Sequence, residues 1–211
     1  MKTRFTLAAF ALLATPVALG QTVIDNMNEG EFSIDGNSFI STGSTSNIIG
    51  GSRFVGSNAT GVTATREVGS AFTTLQNTSG AVGTFTFDYG DFDGGVGELN
   101  SDFTANGNRY FVVEIPRAVG SGQLRLDVLS TAGGGAATSQ SLSGAGTYYF
   151  DMLDDGFTDV DFLDIDRVTF RVLTTDGSEV DVGPISVTAL PAPGAGALLG
   201  LAAVAATRRR R

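Results

Sequence analysis

The sequence contains no histidine, no cysteine and no tryptophan. Without histidine or cysteine the chain lacks a Ser-His-Asp triad, a thiolate nucleophile and a His- or Cys-ligated zinc site. The absence of cysteine also excludes a disulfide framework, so the fold depends on its hydrophobic core alone. Carboxylates and hydroxyls are the reactive groups that remain. Because no pair stands out among the 22 acidic residues, we expect a protein that is not an enzyme.

Basic residues are few and lie mainly at the two ends of the chain. There are 13 basic and 22 acidic residues, and the net charge is −9. Lys2 and Arg4 are near the start, and four arginines close the sequence. The chain between these ends carries seven basic residues and a net charge of −15. Such a surface repels phosphate groups, so we expect no nucleic-acid partner.

Apolar and polar residues alternate with a period of two in residues 83–88, 123–129 and 167–172. This alternation is typical of half-buried antiparallel strands. Together with 29 glycines, it predicts an all-β chain folded as a single β-sandwich, either a jelly roll or an immunoglobulin-like sandwich. Further strands are expected at 109–115, 147–151 and 185–189, and loops at 41–46, 94–97 and 131–137.

The N-terminal residues have the three parts of a secretory signal peptide. Lys2 and Arg4 precede an apolar run over residues 5–14, and small residues stand before a cleavage point after Gly20. The run is short for a membrane span. We therefore expect residues 1–20 to direct the chain to the export machinery and to be removed. The alternative is an uncleaved N-terminal anchor.

An apolar stretch followed by an arginine cluster closes the sequence. Residues 194–207 carry no charge. As a helix they would extend about 21 Å, which is shorter than the hydrocarbon core of about 30 Å. The cluster would stop translocation and stay on the cytoplasmic side. It consists of Arg208, Arg209, Arg210 and Arg211. By itself this segment predicts a weak tail anchor.

A Pro-x-Pro motif precedes the apolar stretch at Pro191, Ala192 and Pro193. With the signal peptide at the other end, residues 190–211 resemble the PEP-CTERM sorting signal of bacterial proteins that exosortase processes, with alanine in place of the usual central glutamate. The resemblance implies transient membrane insertion through the C-terminal helix, cleavage near the prolines and transfer to the cell envelope or an extracellular polysaccharide matrix. A plain tail anchor and a surface helix are the alternatives. The β-sandwich domain is then predicted over residues 21–189.

The first and last segments of this domain show a second likeness. Residues 22–30, 167–173 and 181–187 resemble the opening and closing strands of galactose-binding-like jelly rolls, which occur in carbohydrate-binding modules and envelope proteins. Such folds often hold their N-terminal segment against the closing strand through a structural Ca²⁺. By this resemblance the candidate calcium ligands are Asp25, Glu29 and Asp181.

A glycine-rich acidic loop is a second candidate cation site. Its acidic residues are Asp88, Asp91, Asp93 and Glu98. The glycines between them let the backbone turn and offer carbonyl ligands, which suits a hard cation such as Ca²⁺. The EF-hand register fails, because Tyr89 stands where the first aspartate belongs. The alternative is a solvated turn, so the cofactor prediction is none or a structural Ca²⁺.

Sugar recognition requires exposed aromatic rings on which a pyranose can stack. The candidates are Tyr89 and Tyr148. The alternative is that these rings pack at the edge of the sandwich. Tyr148 and Tyr149 point to opposite faces of a strand, so at most one of them belongs to the core.

We expect a secreted, non-catalytic structural or adhesive protein of a bacterial cell envelope or matrix, processed by an exosortase-type enzyme. The alternative function is a carbohydrate-binding module that recognises matrix polysaccharide.

Overall fold

The computed structural model describes residues 21–42, 47–90, 99–153 and 156–189. Two short 3-10 helices lie within these ranges, Ile49–Gly51 and Ala105–Gly107. The strands, in chain order, are β1 Thr22–Asp25, β2 Phe32–Asp35, β3 Ser38–Ser41, β4 Phe54–Ser57, β5 Val62–Arg66, β6 Thr73–Asn77, β7 Gly83–Gly90, β8 Tyr110–Ile115, β9 Arg117–Val119, β10 Gly122–Ser130, β11 Gly135–Leu142, β12 Gly146–Asp151, β13 Ile165–Thr174, β14 Glu179–Val182 and β15 Ile185–Thr188.

The strands form two layers of antiparallel sheet. One layer is a six-stranded sheet in the order β11-β10-β13-β7-β4-β3. The other layer combines a four-stranded sheet, β1-β15-β8-β12, with a five-stranded sheet, β2-β5-β6-β14-β9. β8 turns into β9 at Pro116, and β14 turns into β15 at Gly183 and Pro184, since proline cannot donate to a ladder. The amide of Gly183 donates to the carbonyl of Glu114 at 2.8 Å, which joins the two sheets at the bend.

One hydrophobic core lies between the two layers. The six-stranded sheet contributes Phe85, Leu126 and Phe170, and the opposite layer contributes Phe111 and Phe150. The rings of Phe150 and Phe170 meet edge to face across the core, with their centroids 6.4 Å apart. Because side chains alternate along each strand, the residues between these positions point to solvent.

These two layers confirm the prediction of an all-β chain folded as a single β-sandwich of the jelly-roll type. The strands expected at 83–88, 123–129 and 167–172 are β7, β10 and β13, each longer than predicted. The loop expected at 131–137 is wrong in part, because the chain enters β11 at Gly135. The small and polar residues of β11 give almost no apolar alternation, which is why the pattern failed there.

Several of the predicted segments lie outside the described residues. They are the signal peptide at 1–20, the sorting signal at 190–211 with its proline motif, and the loop at 94–97. Among the residues that are described, no helix has the length and apolar content required to cross a membrane.

A buried ion pair joins the first strand to the start of β4. Arg53 is 0% exposed and donates from Nη1 to Oδ2 of Asp25 at 2.6 Å. Asp25 also accepts from the hydroxyl of Tyr89 at 2.9 Å and from the amide of Met27 at 2.7 Å. Nη2 of Arg53 donates to the carbonyl of Glu29. These bonds satisfy the Asp25 carboxylate and both Nη groups of Arg53, while Nε of Arg53 has no partner among the described residues. The pair thereby fastens the segment after β1 to the six-stranded sheet.

A second buried arginine, Arg66 on β5, holds the same segment from the other layer. Its Nε donates to the carbonyl of Met27 and its Nη2 to the carbonyl of Ser70, both at 2.8 Å. Burial lowers the pKa of Arg66, and the positive charge of Arg53 lowers it further, while Asp25 opposes the shift. Met27 has a φ of 54°, an uncommon conformation for a residue other than glycine. The contacts from the arginines and from Asp25 keep it there.

We predict that Asp25→Asn lowers the free energy of unfolding by about 3 to 5 kcal/mol, because it leaves the buried guanidinium of Arg53 without its counter-charge. Urea unfolding at neutral pH, followed by circular dichroism, measures the change. Asp127→Asn removes a carboxylate from a partly exposed ion pair and is the matched control, for which we expect a loss below about 1 kcal/mol. Equal losses in the two variants would contradict the structural role of the buried pair.

Candidate functional site

Charged and hydroxyl side chains cover the outward side of the six-stranded sheet. Alternate residues of β10 fill the core, so Arg125 and Asp127 point outward. Thr169 and Arg171 occupy the same side of β13. The strand register places Asp127 opposite Thr169 and Arg125 opposite Arg171. Four polar side chains therefore meet in two neighbouring rows on a rigid sheet.

Asp127 lies between two guanidinium groups. Nη2 of Arg125 donates to Oδ1 of Asp127 at 2.7 Å, and Nη1 of Arg171 lies 3.2 Å from Oδ2. The hydrogen bond from Arg125 to Asp127, and the negative charge of that carboxylate, raise the pKa of Arg125. Beyond this ion pair, the guanidinium of Arg171 donates no hydrogen bond to another residue within the described ranges. Most of its five N–H donors are therefore available to a ligand.

Asp88 on β7 extends the central row, because it pairs with Thr169 across the sheet. Its Oδ1 accepts from Nε of Arg167 and from the hydroxyl of Thr169, both at 2.9 Å, and Arg167 also donates to Oδ2. The Asp88 side chain is 0% exposed. Its carboxylate is thus engaged by a guanidinium and a hydroxyl, and the calcium site that includes it stays a prediction. The other acidic residues of that candidate site, Asp91, Asp93 and Glu98, lie outside the described residues.

A shallow groove of ≈ 350 Å³ lies beside this group. Its polar lining comes from Asp127, Arg167, Thr169 and Arg171. Small residues of β11, Gly135 and Ala137, line the side toward the sheet edge. The small side chains leave space above the backbone, while the arginine and the aspartate offer donors and acceptors at fixed positions. An open recess with a few convergent polar groups is a typical ligand-binding arrangement.

Two phenylalanines lie on the same side of the sheet, near its other edge. Phe39 on β3 is 71% exposed, and its ring centroid is 5.0 Å from that of Phe54 on β4. Val55, next to Phe54, points into the core, so the Phe54 ring points outward. Phe54 lies directly across from Asp88 in the register. The face therefore combines an aromatic edge with a polar centre.

The structure does not gather the three carboxylates predicted to hold Ca²⁺ near the N-terminal segment. Asp25 is engaged by Arg53, and Asp181 accepts a hydrogen bond from the Thr74 hydroxyl at 2.8 Å. Glu29 accepts one from an asparagine amide. No group of three or more acidic residues in the described part of the chain is arranged to hold a metal ion. At Asp25 the guanidinium of an arginine takes the position that the prediction gave to calcium.

The two tyrosines proposed for sugar stacking have other roles in the fold. Tyr89 is 0% exposed, so the prediction of an exposed ring there is corrected: its inward position on β7 places it in the core. Tyr148 packs its ring against the core and donates from its hydroxyl to the carbonyl of Gly144 at 2.7 Å. It therefore closes the turn between β11 and β12. Tyr149 lies on the opposite side of the strand, edge to face with Tyr110.

Sequence reasoning identified the outward residues of β10 and β13 but not the group that they form. The alternation assigns Arg125 and Arg171 to the wet side of their strands, and nothing in it states that these strands are neighbours. One signal was available: few arginines lie between the two ends of the chain, and three of them occupy outward positions in the two clearest strand patterns.

No family model and no curated protein matches the chain. Among solved structures, the chain is similar to a family 11 carbohydrate-binding module from Clostridium thermocellum, determined in complex with a β-1,3-1,4-mixed-linked tetrasaccharide; the identity is 14%, the TM-score 0.40, and the match covers 80% of this chain and 95% of that one. A family 29 carbohydrate-binding module matches at 15% identity and a TM-score of 0.40, over 81% of this chain and 88% of that one. An agarase matches at 11% identity and a TM-score of 0.46, over 64% of this chain but only 23% of the agarase.

We predict a loss of stability above about pH 10, the pKa of an unperturbed tyrosine, that depends on Tyr89. Burial and the nearby Asp25 carboxylate raise the pKa of Tyr89 well above its ordinary value. The folded protein therefore holds this proton more tightly than the unfolded chain does. The contribution of this proton to the free energy of unfolding is complete below the pKa that Tyr89 has in the unfolded chain. It is lost as the pH rises toward the pKa of Tyr89 in the folded protein, at up to about 1.4 kcal/mol per pH unit. Urea unfolding between neutral and alkaline pH measures the slope. Tyr89→Phe should reduce it, and an unchanged slope in that variant would contradict the assignment.

Proposed function

We propose that this chain is a secreted, non-catalytic protein that binds polysaccharide on the outward side of its six-stranded sheet. The observation that carries the proposal is the position of Arg171. It lies in a shallow groove, shares Asp127 with Arg125, and retains N–H donors that no other described residue uses. Adjacent donors and acceptors of this kind match the vicinal hydroxyl groups of a sugar, each of which both donates and accepts.

The length of the face suits a polymer better than a single sugar. Six strands at about 4.8 Å spacing extend for about 24 Å from β11 to β3. The groove lies near one end of this distance, and the exposed ring of Phe39 lies at the other. Aromatic rings offer an apolar surface to the C–H face of a pyranose, and the central hydroxyls and charged groups bind its polar rim.

The arrangement of carboxylates supports binding rather than hydrolysis. A glycosidase requires two accessible carboxyl groups on either side of the scissile bond. On this face Asp88 is buried and engaged by Arg167 and Thr169, so Asp127 remains as the accessible carboxylate among the described residues. A single carboxylate held between arginines serves as a hydrogen-bond acceptor for a bound sugar.

The two ends of the sequence give the proposed location. An N-terminal signal peptide and a PEP-CTERM-like tail at 190–211 would take the protein through the export machinery and an exosortase-type enzyme to the envelope or the extracellular matrix of a bacterium. There a polysaccharide-binding face makes the protein an adhesive component of the matrix. Of the two hypotheses from the sequence, this proposal adopts carbohydrate binding, and a purely structural role is the alternative.

We predict that Arg171→Ala weakens polysaccharide binding by about 10- to 100-fold, because it removes charge-assisted hydrogen bonds worth about 1.5 to 3 kcal/mol. A glycan array identifies the ligand, and isothermal titration calorimetry compares the variants. The matched control is Arg117→Ala. Arg117 also forms an ion pair on an exposed strand, with Glu179, but it belongs to the other layer.

The control variant should bind like the unmodified protein. Equal losses in Arg171→Ala and Arg117→Ala would indicate a general effect of charge, and the absence of any glycan ligand would overturn the proposed function. Phe39→Ala provides an independent check of the aromatic edge, since it leaves every charged group in place.

A further inference from the structure

The eight-residue strand β11 forms one edge of the six-stranded sheet. It pairs with β10 over its whole length, from Gly135 opposite Leu129 to Leu142 opposite Gly122. Its other side faces no strand, and no further hydrogen bond to its backbone is found within the described ranges. Every second N–H and C=O along this side is therefore open to a partner.

The other sheet edges of the described residues are protected in ways that proteins commonly use. β3 has four residues and β9 three, and short edges make poor templates. β1 contains a bulge and the buried Asp25, β2 carries Asp35, and β9 carries Arg117. β12 ends at Asp151, and its Tyr149 carbonyl accepts from the side chain of Gln140 at 2.5 Å.

β11 has none of these protections. It contains no charged residue and no proline, and the whole run from residue 128 to residue 150 is uncharged. A long, flat and uncharged edge is the kind that pairs with another strand. Its exposed residues are small, so they present no steric barrier to a second backbone; they are Gly135, Ala137, Ser139 and Ser141.

We propose that β11 is a self-association edge, along which a second copy of this chain pairs antiparallel. The charge distribution selects this edge for contact between two copies. The chain carries a net charge of −9, so two copies repel each other over most of their surfaces, and the uncharged run around β11 is where they approach at least cost. An antiparallel pair of identical strands is self-complementary and closes as a two-fold dimer, which ends the assembly at two copies.

The pairing would join two six-stranded sheets into one sheet of twelve strands. In an antiparallel pair of identical strands the two-fold axis is perpendicular to the sheet, so both outward faces lie on the same side. Gly135 and Ala137 line the groove, so the two grooves would lie on either side of the dimer axis. If the proposed function holds, one polysaccharide chain contacts both copies and gains affinity by avidity. The dimer itself does not depend on that function.

Sedimentation equilibrium on the full chain, over about 1 µM to 500 µM, tests the proposal across the range in which modest interfaces assemble. We expect the mass to rise from that of a monomer to that of a dimer. In the double variant Ser139→Lys and Ser141→Lys, each copy brings two lysines at exposed positions to the new pair, and like charges brought together across paired strands are destabilising. This variant should remain a monomer at every concentration.

The matched control places two lysines far from β11, at the exposed loop positions Val68 and Val82. Val68→Lys with Val82→Lys should dimerise like the unmodified chain, and circular dichroism checks that both variants are folded. A chain that stays monomeric throughout would overturn the proposal. So would a dimer that persists in the Ser139 and Ser141 variant, as would a dimer that both pairs of lysines abolish equally.

Discussion

The ion pair between Asp25 and Arg53 is the constraint on which the rest of the structure depends. Both side chains lie in the core, where a lone charge is costly, so each requires the other. Asp25 ends β1, and the hydroxyl of Tyr89 attaches it to β7. Arg53 immediately precedes β4 and also binds the segment after β1. The opening strand is therefore fastened to the six-stranded sheet by charge, in a chain that has no disulfide to do so.

Because the ion pair between Asp25 and Arg53 lies inside the protein, the outward side of the six-stranded sheet is free for another role. Partly exposed ion pairs such as that between Arg125 and Asp127 contribute about 0 to 1 kcal/mol to stability, so stability alone does not explain the cluster. Core packing places no demand on these positions either, since their neighbours along the strands fill the core. Arg171 beside an open groove is better explained by recognition of a ligand with many hydroxyl groups. The uncharged edge at β11 lies next to that groove, so recognition and self-association share one end of the sheet.

The sequence was sufficient to predict the fold class and several strands but not the site. Alternation depends on the contrast between apolar and polar residues, so it revealed β10 and β13 and missed β11, whose residues are small or polar. The pairing of Asp25 with Arg53 was not predicted, because a sequence does not show which distant side chain neutralises a buried carboxylate. The burial of Tyr89 continues the inward positions of Phe85 and Phe87 along β7. The groove depends on the register between strands distant in the chain, and single-strand patterns contain no information about that register.

Amide NMR of the isotopically labelled protein, titrated with a soluble oligosaccharide fragment of the polysaccharide that it binds, locates the binding face. We expect the perturbed resonances to belong to outward residues of the six-stranded sheet, centred on Asp127, Thr169 and Arg171 and extending toward Phe39. Perturbations centred instead on Tyr110 and Tyr149, on the opposite layer, would contradict the central claim that this sheet carries the binding face.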